Sequence, residues 1–139
     1  MKTNPLITSL LKSLGFGPPV EEAEPEGDYP KPATLDEATA WLIEEIKKSE
    51  GNYEKFVAIP KSHLLGATHH GFGTWLRNTL MLWHQGTPLV KYMKATYGID
   101  HADDISGTLI QSAHALASGY EFSPTWYAAQ CLEHWEKFK

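Results

Sequence analysis

Residues 69–84, HHGFGTWLRNTLMLWH, contain the one arginine of the chain, three of its seven histidines and two of its five tryptophans. On a helix of about 3.6 residues per turn the stretch divides into two faces. Phe72, Trp75, Leu76, Leu82 and Trp83 lie on one side, and His70, Thr74, Arg77, Asn78, Met81 and His84 on the other. His70, Arg77 and His84 follow at i, i+7 and i+14, a nearly straight row with no acid inside the stretch. The spacing predicts a helix over about 67–83 that packs its apolar face into the body and turns its cationic face outward.

The rest of the chain reads the same way. Leu6, Ile7, Leu10, Leu11 and Leu14 have helical spacing before Gly15, in a segment of about ten residues, too short to be stable alone. It needs a docking surface on its own domain, on a second copy or on a partner. Residues 17–33 read as an acidic, Pro-rich linker, a tether that could also fold back over the cationic row. Thr34 followed by Glu37 makes a capping box for a helix with Ala38, Trp41, Leu42 and Ile46 inside. Phe56, Val57 and Ile59 suggest a short strand or an extended connection closed by Pro60.

Pro88 begins a further helix that Gly98 ends, with Leu89, Tyr92 and Met93 inward. Asp103 is the expected N-cap of the next, with Ile105, Leu109, Ser112 and Leu116 as its inner stripe up to Gly119. Ser123-Pro124 opens the last helix, whose apolar side is marked by Trp126, Tyr127, Cys131 and Trp135. No period-2 hairpin or internal repeat stands out. The expectation is an all-α chain: a short amphipathic helix at 1–16, the linker at 17–33, and one compact domain at 34–139 of about five or six helices.

Composition narrows the function classes. A net charge of −5 argues against broad nucleic-acid binding, and no apolar run is long enough to span a bilayer. The single Cys131 forms no internal disulfide and suits a reducing cytoplasm, the expected location. Within this acidic chain, Lys55 to Ile99 holds no Asp or Glu, while Asp100, Asp103 and Asp104 follow at once. A cationic centre of that kind fits a focused anion site around Arg77, whose planar fork suits a carboxylate or phosphate. Its plainest alternative is a buried pair with Asp103 or Asp104. Gly71 and Gly73 fit a helix start or a close approach to the backbone. A start there would turn free N–H groups toward an anion.

The segments HHGFGTWLRN, Leu82-Trp83 and Asp103-Asp104-Ile105-Ser106 resemble the hallmark of an uncharacterised bacterial family, a domain of unknown function. Its pattern runs H-H-G-x-G-x-x-x-R-N, L-W and D-D-[MI]-S and would cover about residues 34–118. Ala102 stands where the pattern has proline. The resemblance implies that His70, Arg77, Asn78, Asp103, Asp104 and Ser106 form one constellation, and it brings no activity with it.

Three functions compete. In the first, Arg77, Asn78, His84, Asp103, Trp75 and Trp83 bind a small anionic, nucleotide-like ligand. Sequestration of such a ligand is known of phage anti-defence proteins, an analogy only. In the second, His70 works as general acid or base with Asp103 or Asp104 in a hydrolase or phosphodiesterase, Arg77 stabilising the developing charge. In the third, the Arg–Asp set is a structural network inside a non-enzymatic interaction module. No cofactor motif or metal-site signature is present. A metal set from His69, His70, His101, His114, Asp103 and Asp104 is hampered because adjacent histidines on a helix diverge by about 100°. A homo-oligomer through the N-terminal helix remains open.

Overall fold

The computed structural model describes residues 23–139, so the helix expected at 1–16 and the first part of the linker lie outside the described residues. Among the described residues there are seven α-helices, one 3-10 turn and no strand. α1 is Leu35–Lys47, and Thr34 Oγ1 accepts from the Glu37 N–H at 3.2 Å. The Glu37 carboxylate accepts from the N–H of Ala33 at 2.8 Å, so the box closes one residue earlier than its usual form.

Residues 53–58 are helical, and only Ile59 and Pro60 keep the expected extended backbone. α2 is Asn52–Ala58, and the 3-10 turn spans Lys61–His63. Gly51, at φ 83°, turns the chain from α1 into α2. Of the apolar residues expected on a strand only Phe56 is buried, and one inward side chain is enough to seat so short a helix.

The helix expected over 67–83 is also corrected. It divides into α3, Leu64–Thr68, and α4, Gly71–Thr79. Between them the His69 carbonyl accepts from the Arg77 guanidinium at 2.8 Å. After Thr79 the Leu82 N–H bonds to the Arg77 carbonyl, and Met81 adopts φ 56°, the only non-glycine in the left-handed region among the described residues. His84 therefore stands beyond the end of α4, and His70, Arg77 and His84 share no straight row. The extra helices take the domain past the five or six expected.

α5 is Pro88–Tyr97, ended by Gly98 at φ 77°. α6 is Ala102–Ser118 and α7 is Pro124–Glu136, the latter capped by Ser123 Oγ, which accepts from the Trp126 N–H. α6 is the middle of the fold: it touches α1, α2, α3, α4 and α7. Neighbours on so many sides explain why Ser106, Thr108 and His114 are buried alongside Ile105, Leu109, Ile110 and Ala113. Each buried polar group has a partner, as burial demands. Thr108 Oγ1 donates to the Asp104 carbonyl, and His114 joins the Ile59 carbonyl and the Tyr120 hydroxyl. Ser112, half-buried, meets Thr39 of α1 at 2.9 Å.

The inner stripe of α6 departs from expectation at its end, because Leu116 is 66% exposed. On α7, too, the expected apolar side is turned: Ala128 and Cys131 are buried while Trp126 and Trp135 are exposed. The described part of the linker is not a free tether. Pro25 is buried, Glu24 pairs with Lys31 at 3.2 Å, and the Tyr29 hydroxyl donates to Glu24 at 3.2 Å. Lys31, then Tyr29 and Lys91, hold the Glu24 carboxyl below its ordinary range. No described helix is long and apolar enough to cross a membrane.

Two substitutions on one helix test this burial pattern. Leu109→Ala should cost about 2–5 kcal/mol in denaturant unfolding, as full core truncations do. Leu116→Gln should change stability by less than about 0.5 kcal/mol.

Candidate functional site

α4 carries Arg77 to the junction of three helices. It sits in the last turn of α4, and its side chain runs back toward the helix start, as helical side chains do. There the guanidinium is 5% exposed. Nη2 donates to the His69 carbonyl at 2.8 Å and to Thr74 Oγ1 at 3.2 Å, and Nη1 donates to Ser106 Oγ at 3.0 Å. Nε lies 3.4 Å from Asp103 Oδ1 and makes no hydrogen bond, so that contact is an ion pair without a shared proton. The cation thus faces a carbonyl at the C-terminal end of α3 and a carboxylate in the first turn of α6. Both positions suit the helix dipoles.

Gly73 makes the space for this. A Cβ there would stand 2.8 Å from Arg77 Nη1 and 2.8 Å from the Thr68 carbonyl. The glycine in HHGFG is therefore required by close packing around the guanidinium.

Asp103 and Asp104 face different partners because successive helical residues diverge by about 100°. Asp103 turns to Arg77; Asp104 Oδ2 accepts from Trp135 Nε1 of α7 at 2.7 Å. The expected cap is corrected here. His101 is the N-cap of α6, its Nδ1 accepting from the Asp103 N–H at 3.1 Å, and both aspartates occupy the first turn. Tyr127 and Cys131 of α7 lie beside Asp104. Burial, with Asp104 close by, pushes the Cys131 thiol up to about 12, and burial likewise raises the Tyr127 hydroxyl above its ordinary value. Both stay protonated at neutral pH and act as apolar filling with a polar tip.

Two hollows flank Arg77. One, about 140 Å³, is of mixed character, with His69, Asp103, Asp104 and Ser106 facing Leu65, Ile110 and Tyr127. The other, about 430 Å³, is lined by Arg77, Asn78, Met81, Trp83 and His84 and is mostly apolar. Of the expected binding residues, Arg77, Asn78, His84 and Trp83 therefore meet at one hollow, and Arg77, Asp103 and Asp104 at its neighbour. Trp75 belongs to neither: it stacks on Trp41 at 6.0 Å, 41% exposed, beside a third hollow with Phe72 and Ile46.

His70 is exposed, its ring against His69 at 4.8 Å, and it lines neither hollow beside Arg77. The faces of the 69–84 stretch are accordingly reversed at their key members. Arg77 is inside, while Trp83, 57% exposed, is out. Among the described residues no cluster of three or more His, Cys, Asp or Glu could hold a metal ion.

A family model described as a domain of unknown function, DUF6794, matches residues 31–116. The chain belongs to the DUF6794 family. The DUF6794 match takes in Arg77, Asp103, Asp104 and Ser106, and it ends before α7, which supplies Trp135, Tyr127 and Cys131. No curated protein and no solved structure matches the chain.

The sequence carried no local sign of the α7 partners of Asp104, or of the His101 cap. Gly107 was a usable hint, since a Cβ there would meet the Tyr127 hydroxyl at 2.6 Å.

Arg77→Ala should destabilise the fold by about 3 kcal/mol, the scale of breaking a buried ion pair, and Arg77→Lys should fail to restore it because an ammonium cannot span the same acceptors. Urea unfolding with unchanged m-value is the measurement. Gly107→Ala should also destabilise, although alanine is the better helix former by about 1 kcal/mol. In a Tyr127→Phe background most of that loss should vanish; an equal loss in both backgrounds would exclude the hydroxyl contact.

Proposed function

We propose that this chain is a non-enzymatic binding module, in which the Arg77–Asp103 pair braces the helices and an adjacent aromatic face takes a partner segment. The observation that carries this reading is the burial of Arg77 among acceptors of its own chain. A guanidinium engaged with Ser106, Thr74, the His69 carbonyl and Asp103 has no free fork for a phosphate. The anionic-ligand reading needs that fork, and the hydrolytic reading needs His70 near an aspartate.

What remains open to a partner is apolar. Trp83 and Met81 wall the larger hollow, and the Trp83 ring continues edge-on to His101 at 5.8 Å, which in turn lies against Trp135 at 4.9 Å. Phe138 extends the row from Trp135 at 6.2 Å. Exposed tryptophans grouped beside a concave apolar surface are the usual anchors of protein recognition. Met81 adds an adaptable thioether, held in a left-handed backbone that costs about 1–3 kcal/mol elsewhere repaid. The occupant favoured is a short amphipathic helix or strand carrying Leu, Ile or aromatic anchors.

Selection of a random peptide library on the full chain tests this. Binders should be rich in apolar anchors, and Trp83→Ala should weaken them about tenfold or more, the loss of one hot spot, with no change in melting temperature. Binders indifferent to Trp83 and Trp135 would overturn the reading. So would a nucleotide that raises the melting temperature of the wild type.

A further inference from the structure

We infer that the Trp83–His101–Trp135 row, backed by Asp103 and Asp104, seats the guanidinium of an arginine carried by the partner segment. This seat rests on the binding-module reading and adds the charged half of what that face recognises. His101 is the common neighbour. Its ring lies 5.8 Å from that of Trp83 and 4.9 Å from that of Trp135, and its Nδ1 lies 3.9 Å from Asp103 Oδ2. Two exposed indoles and a carboxylate thus stand around one imidazole at the start of α6.

The charge behind the row is negative and incompletely answered. Asp104 Oδ2 accepts from the Trp135 indole at 2.7 Å, a neutral donor, and no cation pairs with it among the described residues. Asp103 faces Arg77 Nε at 3.4 Å without a hydrogen bond, and its side chain is 39% exposed. His101 Nδ1 accepts from the Asp103 N–H at 3.1 Å, so while this cap stands the ring proton is on Nε2 and the ring is neutral. Just beyond α7, Lys139 is taken by Glu136 at 2.7 Å. Two carboxylates against one inward guanidinium leave a negative charge behind exposed rings, in a chain whose net charge is −5.

That combination selects the occupant. Indole faces attract cations through their quadrupole. The Trp135 N–H bonded to a carboxylate polarises its ring and makes the face more negative. A wholly apolar partner would cover Asp103 and Asp104 with nothing to answer their charge, which is costly, and an anion would be repelled. Arginine suits the row better than lysine, because its planar, weakly hydrated head stacks on rings while its fork reaches a carboxylate. Its methylene stem can lie along apolar surface such as Phe138, whose ring is 6.2 Å from Trp135.

The test titrates the full chain with N-acetyl-arginine amide and with its neutral isostere, N-acetyl-citrulline amide, at millimolar concentrations. The indole N–H resonances of the five tryptophans, assigned by single Trp→Phe variants, report the contact. The arginine amide should shift Trp83 and Trp135, leave Trp41 and Trp75 in place, and bind more weakly as salt rises. The citrulline amide should bind about tenfold more weakly. Asp104→Asn, which keeps an acceptor for the indole, should weaken the arginine amide severalfold. Trp83→Leu, at an exposed position, should do the same at the Trp135 resonance and keeps the test decisive if Asp104→Asn lowers the melting temperature.

An equal response to citrulline overturns the inference, and so do unmoved Trp83 and Trp135 resonances. A shift of the same two indoles by N-acetyl-glutamate amide also overturns it. Library peptides that bind through Leu, Ile or aromatic anchors and need no arginine would remove the guanidinium seat and leave the module reading standing. If no peptide is selected while the arginine amide acts as expected, the module reading fails and the seat stands.

Discussion

The first turn of α6 is the constraint on which the arrangement depends. Two consecutive aspartates there point about 100° apart, and each takes hold of a different part of the chain. Asp103 engages Arg77 and through it α3 and α4; Asp104 receives the Trp135 indole from α7. Both carboxylates stand in the first turn of α6, where the positive end of the helix dipole attracts negative charge. One turn of backbone thereby sets the position of helices that are otherwise far apart in sequence.

This arrangement explains why a buried arginine is tolerated. Burying a cation is costly unless it is paired and its donors are used. Nη1 and Nη2 of Arg77 donate to two hydroxyls and a carbonyl, and Nε, which makes no hydrogen bond, is paired in charge with the Asp103 carboxylate beside it. The glycine at position 73 completes the solution, since any side chain would displace the guanidinium. The HHGFG segment and the Asp103-Asp104-Ile105-Ser106 segment are two halves of one packing problem. That is a physical reason for such a pair of motifs to occur together, whatever the module binds.

Much of the fold was legible from caps and breakers. Thr34, Gly98, Gly119 and Ser123-Pro124 mark helix boundaries close to where the structure has them, because these residues act through local backbone chemistry. Periodicity failed where tertiary contacts override local preference. Residues 67–83 have the pattern of one amphipathic helix, yet Arg77 takes the His69 carbonyl and Met81 turns the chain, so the pattern spans three segments. The site was half legible. Arg77 with Asp103 was among the readings the charges allowed, whereas Trp135, Tyr127 and His101 enter through packing over long sequence distances. The outward turn of Trp83 could not be read from spacing, which treats a large aromatic as core by default.

α7 is held differently from everything before it. Of its thirteen residues only Ala128 and Cys131 are buried, and its main polar tie is the single Trp135–Asp104 bond. Such a layer has a smaller opening free energy than the five-sided packing around α6. The last helix thus brings Trp135, with Phe138 just beyond it, to the domain on a thinly buried layer. The aromatic row from Trp83 to Phe138 is then assembled from two separate parts of the chain, joined across His101.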